Sequence, residues 1–253
     1  MELAIIILAA GKGTRMGLTD KPKVMAELAG KPLLGHVIDA ILPLTPQHII
    51  PVIGFKKEMV EEYLDAHFNG LTPVYQTEQL GTGHAVMQAN ERLKDFTGQV
   101  LILTGDTPLI QTKTLSELLI QSENLPTIPD AITVTTFLDE PKGYGRILRT
   151  ASGDFFGIVE EKDASDLQKG IQEINTGMFL VDSLSLFEAL GNISNANAQG
   201  EYYLTDIISY LHGQQKYVYA IPSLNSTEFM GINTLQELAS AEEVYAAMQK
   251  DNR

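Results

Sequence analysis

The chain begins with an unbroken apolar run, Ala4–Leu8, rich in isoleucine and soon followed by glycine. A run this short, without polar alternation, reads as a parallel strand buried on both faces. Comparable strands are predicted at His48–Ile53, Pro73–Gln76, Gln99–Leu103 and Ala131–Phe137. Between them apolar positions recur at helical spacing, which predicts helices over Leu33–Leu42, Glu58–Phe68, Ala85–Leu93 and Thr112–Gln121. Strands alternating with helices of this length imply an α/β fold, with a mainly parallel sheet and right-handed crossovers.

After residue 137 the rhythm changes. Gly143–Gly145, Arg146–Leu148, Phe156–Val159 and Ile174–Val181 read as shorter strands and turns, which suggests a smaller lobe laid against the first. Helices are predicted again at Leu184–Leu190 and Thr205–Leu211, then a strand at Tyr217–Ile221 and a last helix at Glu237–Gln249. No Pro/Gly/Ser-rich linker separates two independent parts, so residues 1–253 are expected to form one unit.

Composition narrows the function classes. Hydrophobic residues make up 44% of the chain, enough to build a sizeable core. No apolar run reaches the ~18–20 residues that span a bilayer. Leu3–Ala10 has no basic flank before it, so it is not read as a signal peptide; the expected location is the cytoplasm, with no membrane partner. The absence of cysteine excludes disulfides, thiolate nucleophiles and cysteine–zinc sites. A net charge of −14 argues against a nucleic-acid partner, which needs a basic surface. A small anion remains a candidate ligand, because Lys12, Arg15, Lys21 and Lys23 cluster early and could focus positive charge in one cleft.

The candidate chemistry lies where predicted strands end, the edge at which open α/β sheets bind ligands. Leu8-Ala9-Ala10-Gly11-Lys12-Gly13-Thr14-Arg15-Met16 follows the first strand. Its glycines let backbone N–H groups wrap a phosphate, and Arg15 can take phosphate oxygens in a planar fork. The run fails the dinucleotide pattern, since Met16 stands where the third glycine belongs, and it fails the P-loop pattern, since no hydroxyl residue follows Gly11–Lys12. A purely structural turn is the plainer alternative. Pro22 can fix the direction of Lys23, otherwise a solvated surface lysine. Gln76 and the run Gln79–Ala85 could read a base edge through Gln76, Gly81 and Thr82, with a helix N-cap at Thr82 as the simpler role. Gly105–Asp106 ends a buried strand, where a carboxylate can hold Mg²⁺ or merely close a turn.

Together these stretches resemble the sugar-1-phosphate nucleotidyltransferases, and within them the N-terminal uridyltransferase half of the bacterial GlmU family. The likeness continues through Gly143-Tyr144-Gly145-Arg146, Ile158-Val159-Glu160, Glu173–Gly177, Asn197–Tyr203 and Gly231-Ile232-Asn233. It implies a Rossmann-like nucleotidyltransferase fold with a smaller sugar-binding lobe, the nucleotide part at about 1–110 and the sugar part and last helices at about 111–253. It implies that Leu8, Ala10, Gly11, Gly13, Gln76, Gly81 and Thr82 hold the nucleotide, and that Arg15 and Lys23 are catalytic. Gly105, Gly145, Glu160 and Asn175 would hold the sugar, and Asp106 and Asn233 would hold Mg²⁺. Without the resemblance, Glu160 and Asn175 are ordinary strand-end polar residues and Asn233 is a helix N-cap.

The implied reaction joins UTP and N-acetylglucosamine 1-phosphate, both small molecules, by in-line attack that needs no general base. The chain departs from the family at Thr104, where an aromatic residue often precedes Gly-Asp. Another acceptor such as glucose 1-phosphate, or dTTP as donor, is therefore an alternative; a non-catalytic nucleotide-sugar sensor is a separate one, disfavoured because Arg15, Lys23, Asp106 and Asn233 are all present. No hexapeptide repeat of a left-handed β-helix is present, so acetyl transfer is not expected, and a monomer or weak dimer is.

Overall fold

The computed structural model describes residues 2–251. In chain order its elements are β1 (Leu3–Ala9), β2 (Glu27–Leu28), β3 (Lys31–Pro32), α1 (Leu33–Ile41), β4 (His48–Ile53), α2 (Lys57–His67), β5 (Val74–Tyr75), α3 (Thr82–Met87) and α4 (Asn90–Leu93). Then follow β6 (Gln99–Thr104), α5 (Thr112–Glu123), β7 (Ala131–Phe137), β8 (Arg146–Arg149), β9 (Phe155–Val159), α6 (Asp166–Lys169) and β10 (Glu173–Asp182). The remainder is α7 (Ser183–Leu190), α8 (Asp206–Gly213), β11 (Val218–Pro222) and α9 (Leu235–Asp251).

The main sheet runs β11-β7-β10-β6-β1-β4-β5, with β8 attached to β10 and β9 to β8. Strand β1 is parallel to β4 and β6, β4 to β5, and β11 to β7. Strand β10 is antiparallel to both β6 and β7. The α/β class and the mainly parallel core of the sheet, flanked by helices, are as the apolar pattern implies. The direction of β10 is a feature that pattern does not encode.

Alternate residues of β1 explain its unbroken hydrophobicity. Ile5 and Ile7 pack with α1, α2 and α5 through Val37, Ile38, Val60 and Leu115. Ala4 and Ile6 pack on the other face with α3, α7 and α8 through Val86, Leu186, Ala189 and Ile208. Both faces of the strand are thus removed from water, at roughly 1.5–3 kcal/mol for each large side chain. A third, smaller cluster joins Met16, Leu28, Leu109, Ile232 and Ala241, and clamps the loop after β1 under α9.

Several boundaries differ from the pattern. The helix predicted at Ala85–Leu93 starts earlier and splits into α3 and α4. The strand Pro73–Gln76 shrinks to β5, and the short pair β2–β3 had no sequence signal. Among the described residues, no helix is long and apolar enough to cross a membrane.

Candidate active site

Strand β1 delivers the chain to the carboxyl edge of the sheet, where it turns through Ala10–Gly13 into a short turn at Thr14–Met16. Gly13 holds φ +67°, and a Cβ there would collide with Lys23. This position therefore requires glycine for two reasons, backbone and space. Met16 is buried and anchors the loop, while Arg15 beside it remains exposed. Pro22, in extended conformation, sets the start of the turn that carries Lys23.

Three further side chains meet at Lys23. Its ammonium pairs with Asp106 and donates to Asn233 Oδ1 at 2.9 Å; Arg15 Nη2 donates to the same oxygen at 3.0 Å. Asp106 sits just past β6, where the Gly105 N–H bonds the Leu8 carbonyl at 2.9 Å and fixes the strand end against β1. Gly105 itself thus serves this closure. Asn233 is not the helix cap. Thr234 is: its Oγ1 accepts from Glu237 N–H at 3.1 Å, and Glu237 Oε2 accepts from Thr234 and Asn233 N–H at 2.8 and 2.7 Å. This reciprocal cap releases the Asn233 side chain toward Lys23. The Ile232 N–H donates to the Asp106 carbonyl at 2.9 Å, which ties the two loops together.

Asp106 and Asn233 are oxygen donors that converge on one cation, the Lys23 ammonium. A hard divalent cation such as Mg²⁺ fits that donor set, since it needs few protein oxygens when phosphates and water complete its shell. Among the described residues no group of three or more His, Asp or Glu side chains forms an all-protein cage.

Next to this cluster lies a cleft of about 260 Å³, lined by Leu8, Ala10, Gly11, Lys23, Gln76, Gly81, Thr82, Thr104 and Asp106 among others. Gln76 is buried, and its Nε2 donates to the Gly81 carbonyl at 2.9 Å and faces His84 Nδ1 at 3.2 Å. A carbonyl can only accept, so the amide nitrogen is fixed there and Oε1 is the group left for a ligand. Gly81 caps α3 at φ +107°, where a Cβ would strike Tyr202 and Glu201. Thr82 is the first helical residue rather than the cap, and its hydroxyl accepts from Leu204 N–H at 3.0 Å. Tyr202 N–H donates to Leu80 O, and Gly83 N–H to Tyr202 O, both at 2.8 Å. The Gln79–Ala85 and Asn197–Tyr203 runs therefore meet as one wall.

The remaining candidates assemble on the smaller lobe. Gly145 leads into β8 and Glu160 follows β9; a Cβ on Gly145 would lie 3.6 Å from Glu160 Oε2. The Asn175 N–H donates to Gly145 O at 2.9 Å. Asn175 Oδ1 accepts from Thr133 at 2.9 Å and from Gly177 N–H at 3.1 Å, which turns its amide nitrogen outward as the spare donor. A bulge after Asn175 places Gly177 against Thr104. Burial pushes the Glu160 carboxyl above the usual range; a 2.8 Å bond from Thr205 pulls it back, and Asp206, Asp163 and Glu201 push it up again. Burial likewise raises Tyr144, whose phenol lies against the Gly231 N–H and near Glu237, Asp106 and Arg15.

The structure thus brings Leu8, Ala10, Gly11, Gln76, Gly81, Thr82, Lys23 and Asp106 into one cleft, with Arg15 and Asn233 joined through Lys23. Gly13 supports Lys23 from behind. Gly145, Glu160 and Asn175 form a second group, linked to the first through Glu201 and Tyr144. Glu201, Gln79 and Tyr144 were given no role from sequence, although each stands in a run that the resemblance marked. A larger cavity of about 440 Å³ lies between α5 and β11, but it contains none of the predicted residues.

Residues 5–194 match the family described as MobA-like NTP transferase domain. The bifunctional protein GlmU of Streptococcus gordonii is 46% identical over 242 residues, covering 94% of this chain and 51% of that protein. The same-named protein of Francisella philomiragia is 46% identical over 242 residues, covering 96% of this chain and 51% of its own length. That of Streptococcus thermophilus is 46% identical over 239 residues. The chain spans about half the length of the curated relatives it matches.

Proposed function

This chain belongs to the MobA-like NTP transferase family, and from that premise we propose that it transfers a uridylyl group from UTP to N-acetylglucosamine 1-phosphate. The observation that carries the proposal is the meeting of Arg15, Lys23, Asp106 and Asn233 at one end of the cleft lined by Leu8, Gln76 and Gly81. The similarity to GlmU proteins at 46% identity supports it.

In this reading the base lies between Leu8, Ala10 and Gly81, and the free Gln76 oxygen accepts from the uracil N3–H. Cytosine has an acceptor at that ring position, so the same oxygen discriminates against it. Arg15 and Lys23 hold the triphosphate, and Asp106 and Asn233 would hold Mg²⁺, which neutralises phosphate charge. Glu160 accepts from a sugar hydroxyl, and the spare Asn175 donor meets the acetamido carbonyl. The acceptor phosphate oxygen is already an anion, so no side chain need remove a proton. It forms a bond to the α-phosphorus in line, and the bond from that phosphorus to the bridging oxygen breaks. Pyrophosphate leaves with the electron pair. Positioning and charge stabilisation by Arg15 and Lys23 are the chain's contribution.

The test is pyrophosphate release with Mg²⁺ over a grid of UTP, dTTP, CTP and ATP against N-acetylglucosamine 1-phosphate and glucose 1-phosphate. Release confined to UTP with the acetamido sugar supports the proposal. Release with glucose 1-phosphate alone would keep the mechanism and replace the acceptor, the outcome that Thr104 leaves open. Nucleotide binding without release from any pair would favour a sensor.

A further inference from the structure

Arg146 is among the largest fully buried side chains, at 1% exposure, and it touches none of the groups assigned above to substrate. Its Nη1 donates to the Tyr144 carbonyl, and its Nη2 donates to Glu161 Oε2 at 2.7 Å and to the Lys169 carbonyl at 3.3 Å. Its Nε is buried without a partner. A buried cation with one donor unsatisfied is a poor device for stability, since an apolar side chain of similar volume avoids the desolvation cost. What it holds is therefore more informative than how strongly it holds.

The register of the sheet supplies the answer. Arg146 pairs across β8–β9 with Val159 and across β8–β10 with Ile174. The residue before it is Gly145, the residue after Val159 is Glu160, and the residue after Ile174 is Asn175. Three of the four proposed sugar-binding positions thus stand one step from a backbone pairing of this ladder, and the Arg146 side chain reaches Tyr144, which precedes Gly145, and Glu161. Glu161, the salt-bridge partner, is itself adjacent to Glu160. Burial pushes the Glu161 carboxyl up, but the Arg146 bond, the Gly143 N–H and the charges of Arg146 and Lys169 outweigh it and hold the group ionised.

Resting on the uridylyl-transfer reading, we propose that Arg146, braced by Glu161, is the positioning residue of the acceptor site: it ties together the segments that carry Gly145 and Glu160 and so governs affinity for the sugar phosphate, not for the nucleotide. A planar fork is what the role requires, because one side chain must reach three segments at fixed angles.

The experiment uses the full chain with Glu161→Ala, which removes the brace from its solvent side, and Arg146→Lys, which keeps the charge but loses the fork. In both, the KM for the sugar phosphate should rise about tenfold or more while the KM for UTP stays near wild type, as expected when geometry slips by a fraction of an ångström. Glu161→Gln, which still accepts from Nη2, should recover most of the loss. Amide hydrogen exchange provides a second measurement that needs no turnover: in Glu161→Ala exchange should quicken at 143–146 and 158–162 and stay unchanged at 8–16. If the wild type releases no pyrophosphate, the activity reading fails, and the exchange pattern still decides the role of Arg146. Unchanged exchange, an unchanged sugar KM in folded variants, or both KM values rising together would overturn the proposal.

Discussion

The two sides of the site are built by different means. The proposed nucleotide side is mostly main chain, taken from the loops after parallel strands β1, β5 and β6, with Gly13 and Gly81 in conformations that leave room for close approach. The proposed acceptor side is mostly side chain, gathered from β8, β9 and β10, with Arg146 and Asn175 buried and Glu160 half-buried. Their charges are opposite as well. Arg15 and Lys23 stand at the proposed phosphate end, while Asp163, Glu201 and Asp206 lie around Glu160. A phosphate can be held by a local loop of N–H groups and a few cations, whereas neutral hydroxyls need acceptors placed individually by distant strands.

Breaking either side should give distinct signatures. The largest effect belongs to Asp106→Asn, expected to lower kcat about 10²–10³-fold with little change in Tm, because it weakens the proposed hold on Mg²⁺, whose charge offsets that of the phosphates. Initial rates at saturating Mg²⁺ and a thermal melt check this; a rate near wild type would remove Asp106 from the metal position. Gly81→Ala should cost about 1–3 kcal/mol in urea unfolding, through backbone strain and the clash with Tyr202. The same change should weaken UTP binding, measured by calorimetry. Gln76→Glu should raise the UTP KM about tenfold and leave the sugar KM alone, since it adds a charge beside the base without touching the far side. An equal rise in both would erase the distinction between the two sides.

Glu160→Gln tests the acceptor side through pH. Burial and acidic neighbours raise the carboxyl's pKa in the folded state. The folded chain therefore holds this proton where the unfolded chain has released it. The destabilising contribution is complete above the raised pKa and fades as pH falls through it. The amide variant should melt about 2–4 °C higher at pH 8, with the gain shrinking toward acid, while its sugar KM rises. A lower melting point at pH 8 would contradict the assigned cause. The smallest effect is Thr234→Ala, about 1 kcal/mol from loss of the α9 cap, seen as a modest shift in the urea midpoint.

The same contrast explains what could be read from sequence. Strands β1, β4, β6 and β7 are buried on both faces, so hydrophobicity alone placed them within a residue or so. The Leu8–Met16 loop was legible because its glycines stand directly after a strand. Without the resemblance, local sequence gives Asn233 only as a cap, because helix-start residues share a chemistry; the Thr234–Glu237 reciprocal bonds distinguish the neighbour that caps from the one that faces Lys23. Glu160 and Asn175 carried no local signal, since their meaning arises from pairing between β8, β9 and β10. The split of α3 from α4 was hidden as well, because Gln88 and Ala89 are ordinary helix residues.

Strand β10 has one more consequence, in how the molecule is made. It fills the gap between β6 and β7. Until Glu173–Asp182 has been synthesised, β6 and β7 each present a bare edge of N–H and C=O groups toward the other. An emerging chain in that state carries a template for pairing with any extended segment nearby. The run that closes the edge also brings Asn175 beside Gly145, in the proposed acceptor pocket. Closure of the gap between β6 and β7 and arrival of Asn175 are thus a single event, ahead of β11 at the sheet's edge, and a ribosome stalled before it holds a chain with the Leu8–Met16 loop but without the proposed acceptor pocket.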